Sequence, residues 1–199
     1  YGVDIYLGEA SVTGPGRVIV RAGKLDLDGY QMHYSGEETI IEAENILLAT
    51  GSQPLIPDFA RPDNPFVVSS NRLISIGELP PRLAIVGGGV IGLEFATIFS
   101  NLGSQVTIVE YLDHILAGMD VEVAETLTRL MIENGVRVLA GHQVTAVEAV
   151  DSRHGIVKAK DRRTGKMASI EADAVALTLS RLLVIEEGCV DVPREVGLS

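Results

Sequence analysis

The stretch Leu83-Ala84-Ile85-Val86-Gly87-Gly88-Gly89-Val90-Ile91-Gly92-Leu93-Glu94, followed by the apolar run Val106-Thr107-Ile108-Val109 and an acid, Glu110, decides the fold. Four apolar residues read as a buried strand, and Gly87, Gly89 and Gly92 follow in the spacing G-x-G-x-x-G. Gly87 lets the chain turn off the strand. Gly89 removes a side chain where backbone must approach an anion, and Gly92 lets a helix sit close on the sheet. From Ile91, the residues Phe95, Ile98, Phe99 and Leu102 recur at helical spacing as one expected buried face, and Gly103 supplies a stop. The second run then reads as a strand buried on both faces, closed by Glu110.

Strand, glycine turn, helix, strand and terminal acid in that order are what a dinucleotide needs. Its pyrophosphate meets unpaired N–H groups at a helix N-terminus, and its adenosine ribose meets a carboxylate. Glu110 also argues about which dinucleotide. Its charge repels a 2′-phosphate, and Tyr111, Leu112, Asp113 and His114 offer no arginine or lysine to receive one, so NAD(H) is favoured over NADP(H). The other reading is that Glu110 merely caps a strand in solvent.

Working outward, Asp120 is a fitting N-cap for a helix through Glu133, with Val121, Ala124, Leu127 and Met131 as its buried stripe and Asn134-Gly135 as its stop. Val136, Val138 and Leu139 give a third strand, so two crossovers build a parallel sheet. The period then changes to two: Val144 to Val147, Ile156 to Ala159 and Met167 to Ile170 read as an antiparallel meander, and Ala174 to Leu179 as a last buried strand. Upstream, Val3, Ile5 and Leu7, then Val18 to Val20, then Tyr30, Met32 and Tyr34 suggest another meander, with turns at Gly14-Pro15-Gly16 and Asp28-Gly29. Ile46-Leu47-Leu48 reads as a buried run. The proline-rich stretch from Pro54 to Pro81 reads as a linker. The expected fold class is α/β: a three-layer Rossmann-like domain with a parallel sheet and an antiparallel meander, joined to the remnant of a second β-meander.

Composition bounds the function. A formal net charge of −11 over 199 residues disfavours nucleic acid, whose binding rests on neutralising phosphates across a basic surface. The basic cluster Lys158, Lys160, Arg162, Arg163 and Lys166 reads as a solvated hairpin tip around Thr164-Gly165 rather than a docking patch. One cysteine, Cys189, allows no internal disulfide, and His33, His114, His142 and His154 show no ligand spacing, so no metal site is expected. No apolar run approaches the length of a membrane span, which points to a soluble, cytoplasmic protein. Residue 1 is tyrosine and lies in an apparent strand, which suggests a piece of a longer polypeptide.

Beyond these local readings, the chain resembles the FAD-dependent pyridine nucleotide-disulfide oxidoreductases, and among them the dihydrolipoamide dehydrogenases. The resemblance rests on Ala49-Thr50-Gly51-Ser52, on Gly87 through Glu94, and on Ile115-Leu116 with Gly118-Met119-Asp120. It implies that Gly87, Gly88, Gly89, Val90, Ile91 and Gly92 hold NAD, with Glu94 near the nicotinamide and Val144 at the adenine mainly through its backbone; Glu110 and Tyr111 complete the expected NAD-binding set. Gly8, Glu9 and Ala10, with Thr50, Gly51 and Ser52, would line FAD in a chain carrying the rest of the flavin site.

The departures are as informative. The family's first glycine motif, its paired redox cysteines and its dimerisation domain have no counterpart in these residues, so no catalytic residue is assigned. Where the family closes the domain with glycine, arginine and proline, this sequence has Ser180-Arg181-Leu182-Leu183; Ser180 could still approach NAD but would crowd it more than glycine. The resemblance implies residues 1–78 as part of an FAD domain, 79–180 as the NAD(H)-binding domain and 181–199 as an unassigned tail. The parent would be a homodimer passing hydride between NAD(H) and FAD and electrons on to a dithiol or disulfide. An NADH oxidase, a transhydrogenase, a metal-ion reductase or a non-catalytic NADH-sensing module are the competing readings.

Overall fold

The computed structural model describes residues 2–26, 31–54, 56–60, 66–151, 153–179 and 181–183. They fall into two compact units, one drawn from residues up to Ser52 and one running from Gln53 to Leu182.

In the first unit, β1 (Gly8–Gly14), β2 (Arg17–Asp26) and β3 (Gln31–Glu42) form an antiparallel sheet in the order β1-β2-β3, the expected meander. Gly16 makes the β1–β2 turn at a positive φ of 68°, and a Cβ there would lie 2.7 Å from the Ala43 carbonyl oxygen. The Asp28-Gly29 turn lies outside the described residues. Two expectations fail. Val3, Ile5 and Leu7 precede the sheet rather than forming a strand, and all three are exposed. Ile46-Leu47-Leu48 is not a strand either, and Leu47 is 91% exposed. Alternating apolar residues state a preference for burial, but a strand forms only where a neighbouring edge accepts its hydrogen bonds.

The short strand β4 (Ser52–Pro54) leads into the second unit, which is built on a parallel sheet. The stretch read as a linker supplies β5 (Val67–Ser69) and a short helix, α1 (Ser70–Leu73), with Phe66, Val68 and Leu73 buried. Proline and polar neighbours masked an apolar run too short to show a period. Then come β6 (Arg82–Val86), α2 (Val90–Asn101), β7 (Gln105–Val109), α3 (Val121–Glu133), β8 (Arg137–Leu139), the meander β9 (His142–Ala149), β10 (Gly155–Asp161) and β11 (Met167–Ala172), β12 (Ala174–Leu177) and β13 (Arg181–Leu183). The parallel sheet runs β5-β12-β6-β7-β8, so β12 inserts beside β6 and the chain order reverses there. Ligands of such sheets bind at that reversal, outside the carboxyl ends of the strands.

Strand alternation divides the buried residues between two cores. Leu83 and Ile85 of β6 face one cluster with Leu93, Ala96 and Phe99 of α2 and Met131 of α3. Ala84 and Val86 face another with Val157 and Ala159 of β10 and Ile170 of β11. Helices, parallel sheet and meander therefore make the three expected layers. The buried face of α2 differs from expectation: Gly92, Leu93, Ala96 and Phe99 are buried, whereas Ile98 and Leu102 are exposed. The small residues Gly92 and Ala96 permit the closest approach and so choose which face turns inward. In α3, Asp120 caps the N-terminus as expected, accepting from the Glu122 N–H at 2.9 Å, while Val121 is exposed rather than part of the stripe. Among the described residues no helix is long and apolar enough to cross a membrane.

Candidate functional site

The glycine turn sits where β6 ends at the chain reversal, and each glycine meets a different constraint. Gly87 has φ of +113°, a conformation that side chains resist, and a Cβ there would lie 2.8 Å from the Thr178 carbonyl oxygen. At Gly92 a Cβ would lie 2.1 Å from the Gly87 carbonyl oxygen and 2.8 Å from Thr178 Oγ1, so α2 is seated on the turn itself. At Gly89, by contrast, a Cβ would meet nothing within 4 Å. Gly89 is also the N-cap of α2 and offers no side-chain cap. The N–H groups of the first helical turn have no intrahelical acceptor by geometry, and the space before them is clear. That is a cradle for an anion, with the helix dipole adding its positive end.

Three residues brace the turn that sequence reasoning missed. The buried Thr178 hydroxyl lies 2.9 Å from the Gly87 carbonyl oxygen and 3.1 Å from that of Val86. Ile115 is fully buried, and its side chain would collide with a Cβ on Gly88. Leu116, at φ of 52° the one described non-glycine residue with positive φ, donates its N–H to the Gly88 carbonyl at 2.9 Å. A polar residue ending the apolar run of β12 was the available signal for Thr178; Ile115-Leu116 stood out only as part of the family resemblance, with no role attached.

Glu110 follows β7, half-buried beside the turn. Its Oε2 accepts from the Gly88 N–H at 2.5 Å, and its Oε1 accepts from the Leu112 N–H at 2.7 Å. The carboxylate is thus more than a strand cap in solvent: it is fixed against the loop that would hold a pyrophosphate, with lone pairs remaining for further donors.

The other expected residues separate. Val90 and Glu94 are exposed on the first turns of α2, Ile91 is half-buried, and Tyr111 is about half exposed. The third parallel strand stops at Leu139, so Val144 lies in β9, with its side chain buried in the meander core. Only its backbone could face a ligand. Ser180 lies outside the described residues, as does Cys189. Glu9 and Ala10 lie in β1, where Glu9 accepts from the Tyr34 hydroxyl at 2.6 Å; Thr50 and Gly51 are exposed, and Ser52 opens β4.

The basic cluster is a hairpin tip between β10 and β11, as expected, but Arg162 is not simply solvated. Its Nη1 donates to the Tyr111 carbonyl at 2.9 Å and to Asp113 Oδ1 at 3.1 Å, with its guanidinium carbon 4.2 Å above the Tyr111 ring. The turn that carries it is built by Asp161, whose carboxyl is held below the usual carboxylate range by the N–H groups of Thr164 and Arg163. Residues 111–114 carry no arginine or lysine, but the fold brings Arg162 onto this segment.

At the opposite end of β6, Arg82 grips Asp173 through Nε (3.0 Å), Nη2 (2.8 Å) and its backbone N–H (2.9 Å), and also reaches Glu171. Arg82 holds the Asp173 carboxyl below the usual range, and the pair raises the Arg82 guanidinium. His154 Nε2 is a second partner for Asp173, 3.2 Å from its Oδ1.

A glycine turn opening a helix, an acid just past the next strand and a chain reversal define a Rossmann-like α/β unit. The chain belongs to the pyridine nucleotide-disulphide oxidoreductase family, whose model matches residues 2–179. It is 34% identical over 180 residues to dihydrolipoyl dehydrogenase 3 of Pseudomonas putida, covering 90% of this chain and 36% of that protein. It is 44% identical over 112 residues to dihydrolipoyl dehydrogenase of Chlamydia pneumoniae, covering 56% of this chain and 24% of that one. Among solved structures it is similar to the HOCl-induced flavoprotein disulfide reductase RclA of Escherichia coli, with a TM-score of 0.65 and 26% identity over 89% of this chain and 36% of that one. The chain spans about a third of the length of the first of these curated relatives.

Proposed function

We propose that residues 79–180 are the NAD(H)-binding part of a dihydrolipoamide dehydrogenase-like flavoenzyme, in which hydride passes between NAD(H) and FAD and electrons continue to a dithiol or disulfide. The observation that carries this reading is the pairing of the clear space at Gly89 with the Glu110 carboxylate fixed against Gly88. The N–H groups of Val90, Ile91 and Gly92 would hold the pyrophosphate. Glu110 would accept from the ribose hydroxyls, and Glu94 would lie toward the nicotinamide. When bound, NADH would give up a hydride or NAD+ would accept one; the part of this chain would be to bind and orient the dinucleotide.

Glu9, Ala10, Thr50, Gly51 and Ser52 are assigned to FAD by the family resemblance. With one cysteine in the sequence, a redox pair cannot form among these 199 residues, so dithiol chemistry would be supplied from elsewhere. Similarity to both dihydrolipoyl dehydrogenases and a flavoprotein disulfide reductase makes the electron acceptor the finest part of the proposal. Titration calorimetry tests the central claim: NADH binds the 199-residue chain and NADPH binds more weakly. Equal affinities contradict the specificity, and NADH-dependent disulfide reduction by this chain alone contradicts the division of labour.

A further inference from the structure

The fold brings to the Glu110 end of the sheet a cation that the local sequence lacks. Besides its side-chain bonds, Arg162 is stitched there by backbone: its N–H donates to the Gly141 carbonyl at 2.8 Å, and the Gly141 N–H donates to the Leu112 carbonyl at 2.7 Å. The Tyr111–Leu112 peptide is held by opposite charges at its two ends. Its carbonyl receives Arg162 Nη1 at 2.9 Å, and its N–H goes to Glu110 Oε1 at 2.7 Å. One planar peptide thus separates the guanidinium from the carboxylate that would meet the ribose.

Arg162 has donors to spare. Among the described residues its hydrogen bonds run through Nη1, leaving Nε and Nη2, and stacking on Tyr111 fixes the plane in which they lie. Its side chain is 36% exposed, so the remaining edge can be reached from solvent. The competing partner, Asp113, is 87% exposed and holds Arg162 by a single hydrogen bond.

We infer that Arg162 is a receptor for a ribose 2′-phosphate already built into the site, and that Glu110 is the carboxylate that chiefly keeps the phosphorylated dinucleotide out. Resting on the NAD(H) reading above, the inference says that selectivity here is a balance between one carboxylate and one guanidinium across a shared peptide. Removing the carboxylate turns the site toward NADP(H) with no basic residue added, because a guanidinium fork is suited to phosphate oxygens.

Calorimetric titration of NADH and NADPH into three chains tests this: the unaltered protein, Glu110→Gln, and Glu110→Gln combined with Arg162→Ala. Glutamine retains an acceptor for one of the two N–H groups that Glu110 now binds, and circular dichroism checks that the variants fold. The expected result is that Glu110→Gln binds NADPH at least tenfold more tightly than the unaltered chain does, with steep salt dependence, and that adding Arg162→Ala removes this gain. A Glu110→Gln chain that still binds NADH but gains no NADPH affinity overturns the inference, as does a double variant that keeps the gain. Failure of the unaltered chain to bind NADH overturns the NAD(H) reading beneath it. Arg162→Ala alone is the second route: it lowers the residual NADPH affinity at least tenfold more than that of NADH, and equal losses overturn the inference.

Discussion

The two ends of β6 handle polarity in opposite ways. At its start, Arg82 and Asp173 satisfy each other through three hydrogen bonds, with Glu171 and His154 adding further partners. At its finish, the chain passes through Gly87 to a helix whose N-cap offers no side chain, and leaves clear space at Gly89. The same strand is thus anchored where charges neutralise each other and opened where backbone donors have no intrahelical acceptor. On the NAD(H) reading proposed above, the contacts at the start of β6 serve stability and the open turn at its finish serves binding.

The sharpest way to break this division is Gly92→Ala, because a methyl group would lie 2.1 Å from the Gly87 carbonyl oxygen and α2 must lift off the sheet. The expected loss is about 3 kcal/mol of unfolding free energy in urea titration, with NADH binding lost as well. A normal denaturation midpoint would show that the helix is not seated as described. Glu110→Ala comes next at the open end, weakening NADH binding by about 2 kcal/mol in calorimetry, on the scale of hydrogen bonds to a charged group.

At the anchored end, Arg82→Ala leaves the Asp173 carboxylate, 13% exposed, without its main partner. It should lower unfolding free energy by about 2 kcal/mol while leaving NADH affinity within twofold. A large change in affinity would join the two ends that are separated here. Acid probes the same contact. Since Arg82 holds the Asp173 carboxyl below its ordinary range, the folded protein binds that proton less readily than the unfolded chain. The stabilisation is whole above about pH 4 and drains away as the pH falls further. Asp173→Asn should flatten the melting temperature's pH dependence below pH 4; an unaltered slope would assign the acid sensitivity elsewhere.

The smallest expected change is the most discriminating. Gly89→Ala has room for its methyl group and should cost about 0.5 kcal/mol of stability, the scale of a changed cap, yet should weaken NADH binding by more than tenfold. Equal effects on both would mean that the clear space is not where the pyrophosphate lies.

The β6–α2–β7 unit was legible because each residue there does a local job: turn, close approach, capping or alternation. Legibility failed where a residue's role depended on a partner distant in sequence. Ile98 and Leu102 looked like core, but Gly92 and Ala96 turned the other face of α2 inward. Phe66 and Val68 were hidden among prolines, and their strand exists only because β12 offers it an edge. Arg162 read as part of a solvated tip because its partner segment lies 51 residues away in the chain.

Leu116 carries one more consequence, which concerns time rather than affinity. A leucine at positive φ costs about 1 kcal/mol or more, and its N–H is tied to the Gly88 carbonyl. The loop around Leu116 is thereby tied to the glycine turn, and this hydrogen bond lasts only while the turn keeps its shape. Hydrogen exchange at the Leu116 amide therefore reports the integrity of the turn, and if the proposed dinucleotide binds there, adding NADH should slow that exchange.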